Sequence, residues 1–350
     1  MIIIVQGISD KIERMNQKTI LTGITTTGRP HLGNYTGAIR PAIEASFEPG
    51  LKSFYFLADY HSLVKNKDPK EVKKSCMEVA ATWLALGLDT NKTYFYRQSD
   101  IPEISELMWI LCTFTAKGLM NRAHAYKSVV QLNEESGGSD PDKGISMALF
   151  SYPILMAADI LMFKATDVPV GQDQKQHMEM VRDVAQRFNH HYGDIFVVPQ
   201  AIIAKESAIL PGLDGRKMSK SYNNSIPLFL GSNELRKLIM KIKTNSLEPG
   251  EPKSTEACTV YDIYQAISKL EEALLFKEQL EQGMAWGDAK EELFVYIEDL
   301  FSGPKEEYLK LIDDQTYLES VLSAGAEKAR DLSSPYLKKI KTVVGIGSLV

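Results

Sequence analysis

The sequence predicts an α/β protein: a doubly wound parallel sheet followed by an all-helical second half. Three observations carry that reading. As far as Pro199, short apolar runs alternate with amphipathic stretches, the pattern of strand–helix–strand units. From Asn233 onward the apolar spacing is helical. Polar, glycine-bearing loops follow two of the strands directly, at the sheet edge where open α/β folds bind ligands.

Composition sets the bounds. The 350 residues, 44% hydrophobic and 24% charged with 23 glycines, suit one larger and one smaller globular domain. No apolar run nears the roughly 18 residues of a membrane helix. The opening MIIIVQGISDKIERMNQ lacks the apolar length and cleavage site of a signal peptide, so residues 1–17 read as a flexible N-terminal extension. Cys76, Cys112 and Cys258 are scattered without a CxxC, which indicates neither disulfides nor zinc. The reducing cytoplasm is the expected compartment, and no membrane contact is expected. A net charge of −5 leaves any nucleic-acid contact to a local basic patch.

The elements follow in order. Lys18–Gly23 (KTILTG) reads as a buried strand, and TTTGRPHLGNYTGAIRPAIEA as a glycine-bearing loop entering a helix, whose start favours an anion. In it, His31, Gly33 and Asn34 place two donor side chains on either side of bare backbone; His31 is equally a helix cap. Ser53–Asp59 is a second strand, with His61 just past its end as a pocket or a strand-end residue. Lys70–Leu86 is a helix closed by Gly87, Thr93–Gln98 a third strand, Glu103–Tyr126 a helix and Asn133–Lys143 a polar loop.

The stretch Ser151–Asn189 organises the rest. Pro153 suits a first helical turn, and Tyr152, Met156 and Asp159 share one face at i, i+4 and i+7. Asp159 stands in an apolar run, so its carboxylate needs a partner, either a donor-only ligand or a neighbouring amide or arginine. Lys164–Val170 reads as a strand, Gly171 as its turn and Gln174 onward as a helix, with Gln172–His177 a polar cluster at the strand's carboxyl end. Ile195–Pro199 reads as a further strand. In LPGLDGRKMSKSYNN, Lys217 and Lys220 are mobile point charges for a phosphate or simply a solvated basic loop. Helices follow from Asn233 to Lys243 and from Tyr261 on, with breaks at Glu248–Lys253, Gly283–Gly287 and Gly303–Pro304, and a final helix over Leu318–Lys341.

The two loops together resemble a known pair. PHLGN is similar to the HIGH-type signature, and KMSKS to the second signature, of the class I aminoacyl-tRNA synthetases. AADIL followed by PVGxDQKQH narrows the likeness, over nearly all of residues 18–350, to the bacterial tryptophanyl-tRNA synthetases. This resemblance implies a Rossmann-like catalytic domain of the HUP type over 18–222. It implies an α-helical anticodon-recognition domain over 223–350, its last helix packing back on the first. It also implies activation of L-tryptophan with Mg-ATP, transfer to the terminal adenosine of tRNA(Trp), and a homodimer. No tightly bound metal is expected.

The same resemblance assigns residues. Asp159 would accept the indole N–H and Met156 pack on the ring. Tyr152 and Gln174 would hold the amino-acid head group, with Leu21, Gly23, His61, Val168 and Val170 around them. ATP would meet Thr25, Thr27, Gly33, Asn34, Gly171, Asp173, Lys217, Met218, Ser219 and Lys220. Catalysis would fall to His31, Asn34, Lys217 and Lys220, by positioning and charge stabilisation rather than through a protein nucleophile. Lys237–Lys243 would meet the anticodon, or form a solvated helix face. Three departures stand out. Asn34 replaces the second histidine of the HIGH pattern, and Gln172 the usual glutamate of PVGEDQKQH. NRAHAYKSVV matches one branch only, with Lys127 as the candidate ATP-contacting lysine. A tyrosyl-tRNA synthetase and a non-catalytic paralogue that binds tryptophan or adenylate are the alternatives.

Overall fold

A computed structural model describes residues 18–137, 139–203 and 210–348, the side chain of Asp173 aside. The expected extension at 1–17 lies outside them. Strands β1 (Thr19–Thr25), β2 (Lys52–Ala58), β3 (Thr93–Arg97), β4 (Asp167–Val170) and β5 (Gln200–Ile203) form a sheet ordered β3-β2-β1-β4-β5. Every neighbouring pair is parallel. Parallel neighbours require crossovers, which helices supply. They are α1 (Leu32–Asn34), α2 (Arg40–Ala45), α3 (Asp59–Ser62), α4 (Pro69–Ala85), α5 (Pro102–Cys112), α6 (Lys117–Met120), α7 (His124–Glu135), α8 (Met147–Met162) and α9 (Lys175–Tyr192).

Both faces of the sheet are covered, which explains the unbroken apolar run of β2. Its alternate residues enter different cores. Tyr55 and Leu57 join Trp83, Phe229, Phe276 and Phe301. Phe54 and Phe56 join Tyr96, Leu161, Phe188 and Ile340. The first core is therefore shared with helices of the second half: α10 (Ser232–Met240), α11 (Thr259–Ile267), α12 (Leu270–Glu281), α13 (Trp286–Asp313) and α14 (Gln315–Val343). Helix α14 lies against β3, because Gly325 has no side chain where a Cβ would run into the carbonyl of Phe95. Arg97 at the end of β3 pairs with Glu319 of α14 at 2.8 Å.

The chain builds β1, β2 and β3 to one side and then β4 and β5 to the other. The order reverses between β1 and β4, and such a switch point leaves a crevice at the strands' carboxyl ends. Here β1 and β4 register only at Ile20 and Asp167. Beyond that pair a cavity of about 720 Å³ opens between them.

Several elements depart from expectation. Pro153 sits inside α8, which starts earlier, at a cap where Ser146 Oγ accepts from the N–H of Leu149. β4 begins only at Asp167, since Lys164 turns the chain in the left-handed region (φ 54°). Ile195–Pro199 is no strand: Asn189 takes the N–H groups of Ile195 and Phe196 and donates to Phe196 O, while Tyr336 donates to Ile195 O. With that backbone satisfied by side chains, pairing starts at Gln200. The helix expected over Glu103–Tyr126 is broken after Cys112, where the hydroxyls of Thr113 and Thr115 bond the carbonyls of Ile110 and Leu111. Gly303–Pro304 is no break, for α13 runs through it to Asp313; Asp314, which caps α14 through Tyr317 N, is where the chain turns.

Candidate active site

The inner end of the cavity is built by α8. Tyr152, Met156 and Asp159 all line it, as their spacing on one helix face requires. Asp159 is 1% exposed, and burial pushes its pKa up, opposed by the groups that bond it. His61 Nε2 donates to Oδ2 at 2.9 Å, and Gln98 Nε2 donates to both oxygens, at 2.8 and 2.9 Å. Two carboxylate oxygens offer about four acceptor positions, so one remains on Oδ1 for a ligand donor.

Around it, the His61 ring stands edge-on to Tyr152, with centroids 4.8 Å apart. Tyr152 donates to Gln174 Oε1 at 3.2 Å, and His177 Nδ1 meets the same oxygen at 2.9 Å. Asp59 Oδ1 accepts from the N–H of Ser99, tying the turn that carries Gln98 to the helix that carries His61. Leu21 and Gly23 of β1, and Val168 and Val170 of β4, form the side walls, with Gly171 at the β4 edge.

The outer end is the loop after β1. Thr26 bonds Ser62 Oγ through both its N–H and its hydroxyl, and Gly28 N–H donates to Ser75 Oγ. Thr25, Thr27, His31 and Asn34 line the cavity there. His31 forms a reciprocal cap: its Nδ1 accepts from Asn34 N–H, and Asn34 Oδ1 accepts from His31 N–H. Burial, followed by the charge of Lys220, lowers its pKa to about 4. The ring is therefore neutral at physiological pH with its proton on Nε2, a donor that adds no charge.

The basic loop meets this one. Lys220 Nζ donates to the carbonyls of Thr27 and Gly28, and Lys220 and Ser219 line the cavity. Gly33 N–H points at Met218 Sδ, 3.4 Å away. Met218 is buried beneath the first loop and does not line the cavity. Lys217 is exposed, pairs through its backbone with Pro211 and stays off the wall, as does Lys127 on α7, where Ala125 takes that place. The side chain of Asp173 lies outside what is described.

Two residues with no role in the sequence reading hold the site together. Gln98 is the polar residue ending the third strand run, at the carboxyl edge of the sheet, and that position was its only signal. Asn224, 2% exposed, accepts from Ser219 N–H and donates to Asp214 Oδ1 and the Lys217 carbonyl, so one side chain shapes the basic loop.

A parallel sheet with a switch-point cavity, a capped glycine loop and a lysine loop on its rim is the arrangement of a nucleotide-binding α/β protein. Residues 14–302 match the family described as tRNA synthetases class I (W and Y), and the chain belongs to that family. It is 57% identical over 332 residues to a tryptophan–tRNA ligase of Bordetella parapertussis, covering 94% of this chain and 73% of that protein. It is 53% identical to one of Neisseria meningitidis, covering 96% of this chain and all of the other. Among solved structures, tryptophanyl-tRNA synthetase from Campylobacter jejuni complexed with ADP and tryptophan has a TM-score of 0.85 at 38% identity, covering 93% of this chain and 99% of that one.

Proposed function

We propose that this chain is a tryptophan–tRNA ligase that forms tryptophanyl-adenylate from L-tryptophan and Mg-ATP and passes the acyl group to tRNA(Trp). One observation carries the reading: a single cavity has a buried carboxylate at its inner end and neutral and cationic donors at its mouth. Asp159 is the one carboxylate among the described residues that line it. The indole N–H only donates and meets an acceptor-only group. A phenylalanine ring would leave that group without a ligand donor. Such a mismatch costs of order 10⁴–10⁵ in selectivity, the scale on which a synthetase built for tyrosine rejects phenylalanine. Met156 packs on the ring, and Tyr152 and Gln174 hold the head group.

The substrate carboxylate attacks the α-phosphorus. As its oxygen bonds there, the bond to the bridging oxygen breaks and pyrophosphate leaves with the electron pair. No protein nucleophile is needed. Lys220, His31 Nε2–H and Asn34 surround the phosphates, with Lys217 and Ser219 closing from the basic loop. Among the described residues no group of three or more His, Cys, Asp or Glu is placed to hold a metal ion. The donors at the mouth fit a polyphosphate rather than a cation, so Mg²⁺ enters on the nucleotide and shares its charge.

Lys237–Lys243 would contact the anticodon arm, and the active unit is a homodimer. No described helix is long and apolar enough to cross a membrane, and we place the enzyme in the cytoplasm. Charging of a tRNA(Trp) transcript with labelled tryptophan tests the whole reading. Acylation that depends on both ATP and tryptophan supports it; binding of tryptophan without acylation would make the chain a regulatory paralogue.

A further inference from the structure

We infer that Gln98 is a positioning residue for this reaction: its amide holds the Asp159 carboxylate fixed in direction, and so sets the preference for an indole over a phenol. The inference rests on the reading that Asp159 accepts the indole N–H.

Gln98 is fully buried, and its Nε2 donates to both oxygens of Asp159, at 2.8 and 2.9 Å. A carboxylate held at both oxygens cannot swing about its Cβ–Cγ bond to follow a donor placed elsewhere. The amide has one sensible orientation, since the reverse would set its oxygen against an anion. Gln98 Oε1 has no hydrogen-bond partner of its own among the described residues, so the carboxylate alone orients the group. The turn that carries it is fixed from both sides, by Ser99 N–H on Asp59 and by Arg97 between Asp100 and Glu319. Gln98 does not line the cavity, so it acts through Asp159 and not on the ligand.

The titratable groups facing Asp159 are His61 and Asp59 of α3 and Tyr96 of β3; His177 of α9 stands behind Tyr152. Of these, His61 alone donates to the carboxylate. Gln98 supplies the other two bonds, from an amide that has no proton to lose or gain. Without it the buried carboxylate takes up a proton more readily, and a neutral acid is a weaker acceptor.

The test uses ATP–pyrophosphate exchange at several pH values with Gln98→Met, which removes the donor at similar size, and Gln98→Glu. For Gln98→Met, KM for tryptophan should rise about tenfold at neutral pH, the worth of a weakened charge-assisted bond. It should climb further as pH falls, and the preference for tryptophan over tyrosine should shrink. For Gln98→Glu the slope should reverse. The added acid, while protonated, still donates to Asp159, and KM climbs as pH rises and the pair loses its shared proton. A merely structural role would produce neither slope. Folded variants with unchanged KM, pH profile and tryptophan-to-tyrosine ratio would overturn the inference, as would failure of both variants to fold. Asp159→Asn separates the two claims. If it raises KM for tryptophan while the Gln98 variants do not, only the role of Gln98 falls. If it leaves KM unchanged, the reading of Asp159 falls with it.

Discussion

The ammonium of Lys220 donates to the carbonyls of Thr27 and Gly28, at 2.8 and 2.9 Å, and so bonds the basic loop to the glycine loop at the cavity mouth. Its charge stands beside the site assigned to the phosphates. Lys220→Ala should lower kcat for adenylate formation by about 10²-fold, the scale of losing one preorganised stabilising group. KM for tryptophan should stay within about twofold, because the ring sits at the other end. Steady-state exchange kinetics read both numbers, and a tryptophan-binding defect with normal kcat would contradict the assignment.

His31 is 8% exposed and stays neutral until about pH 4. The unfolded chain takes up that proton near pH 6.5. Between those values the unfolded state binds more protons, so stability is complete above about pH 6.5 and falls as pH drops. Across the whole window the loss amounts to about 3 kcal/mol. Urea unfolding at pH 7.5 and pH 5 should show this fall, and His31→Asn, which keeps a capping acceptor, should show less of it.

Asn224 accepts one N–H and donates to three acceptors, Asp214 Oδ1 and the carbonyls of Arg216 and Lys217, while almost fully buried. Asn224→Ala leaves those groups unmatched and should destabilise the protein by about 1–3 kcal/mol. It should also lower kcat, since Ser219 and Lys220 lose their support. Gly212→Ala should act likewise, because a Cβ there would overlap the Asn224 side chain. Thermal melts with kinetics on the folded variants check both effects.

Gly325 lets α14 touch the backbone of β3, and a Cβ has no room there. Gly325→Ala should cost about 3 kcal/mol, the upper end of overpacking penalties, because the obstacle is a carbonyl rather than a flexible side chain. A fall of several degrees in melting temperature is expected; an unchanged melt would mean the helix–strand contact is looser than described.

Much of this was legible because it depends on local spacing. The i, i+4, i+7 face of Tyr152, Met156 and Asp159 lines the cavity whatever encloses it, and polar loops after parallel strands point to one sheet edge. What escaped depends on long-range satisfaction of polar groups. Asn189 replaces strand pairing at Ile195 and Phe196 with its own amide, and Gln98 answers a carboxylate carried by a different element. Pro304 fails to break α13 because a helix clamped by packing tolerates one missing bond. Met218 belongs to a basic signature, yet it is buried under Gly33 as packing. No spacing rule anticipates such choices.

ATP–pyrophosphate exchange with each of the twenty amino acids, without tRNA, tests the central claim most directly. Exchange supported by tryptophan alone is the predicted result. Exchange supported by tyrosine would overturn the role of Asp159, and none with any amino acid, in a folded protein that still binds tryptophan, would contradict the assignment of the two loops to catalysis.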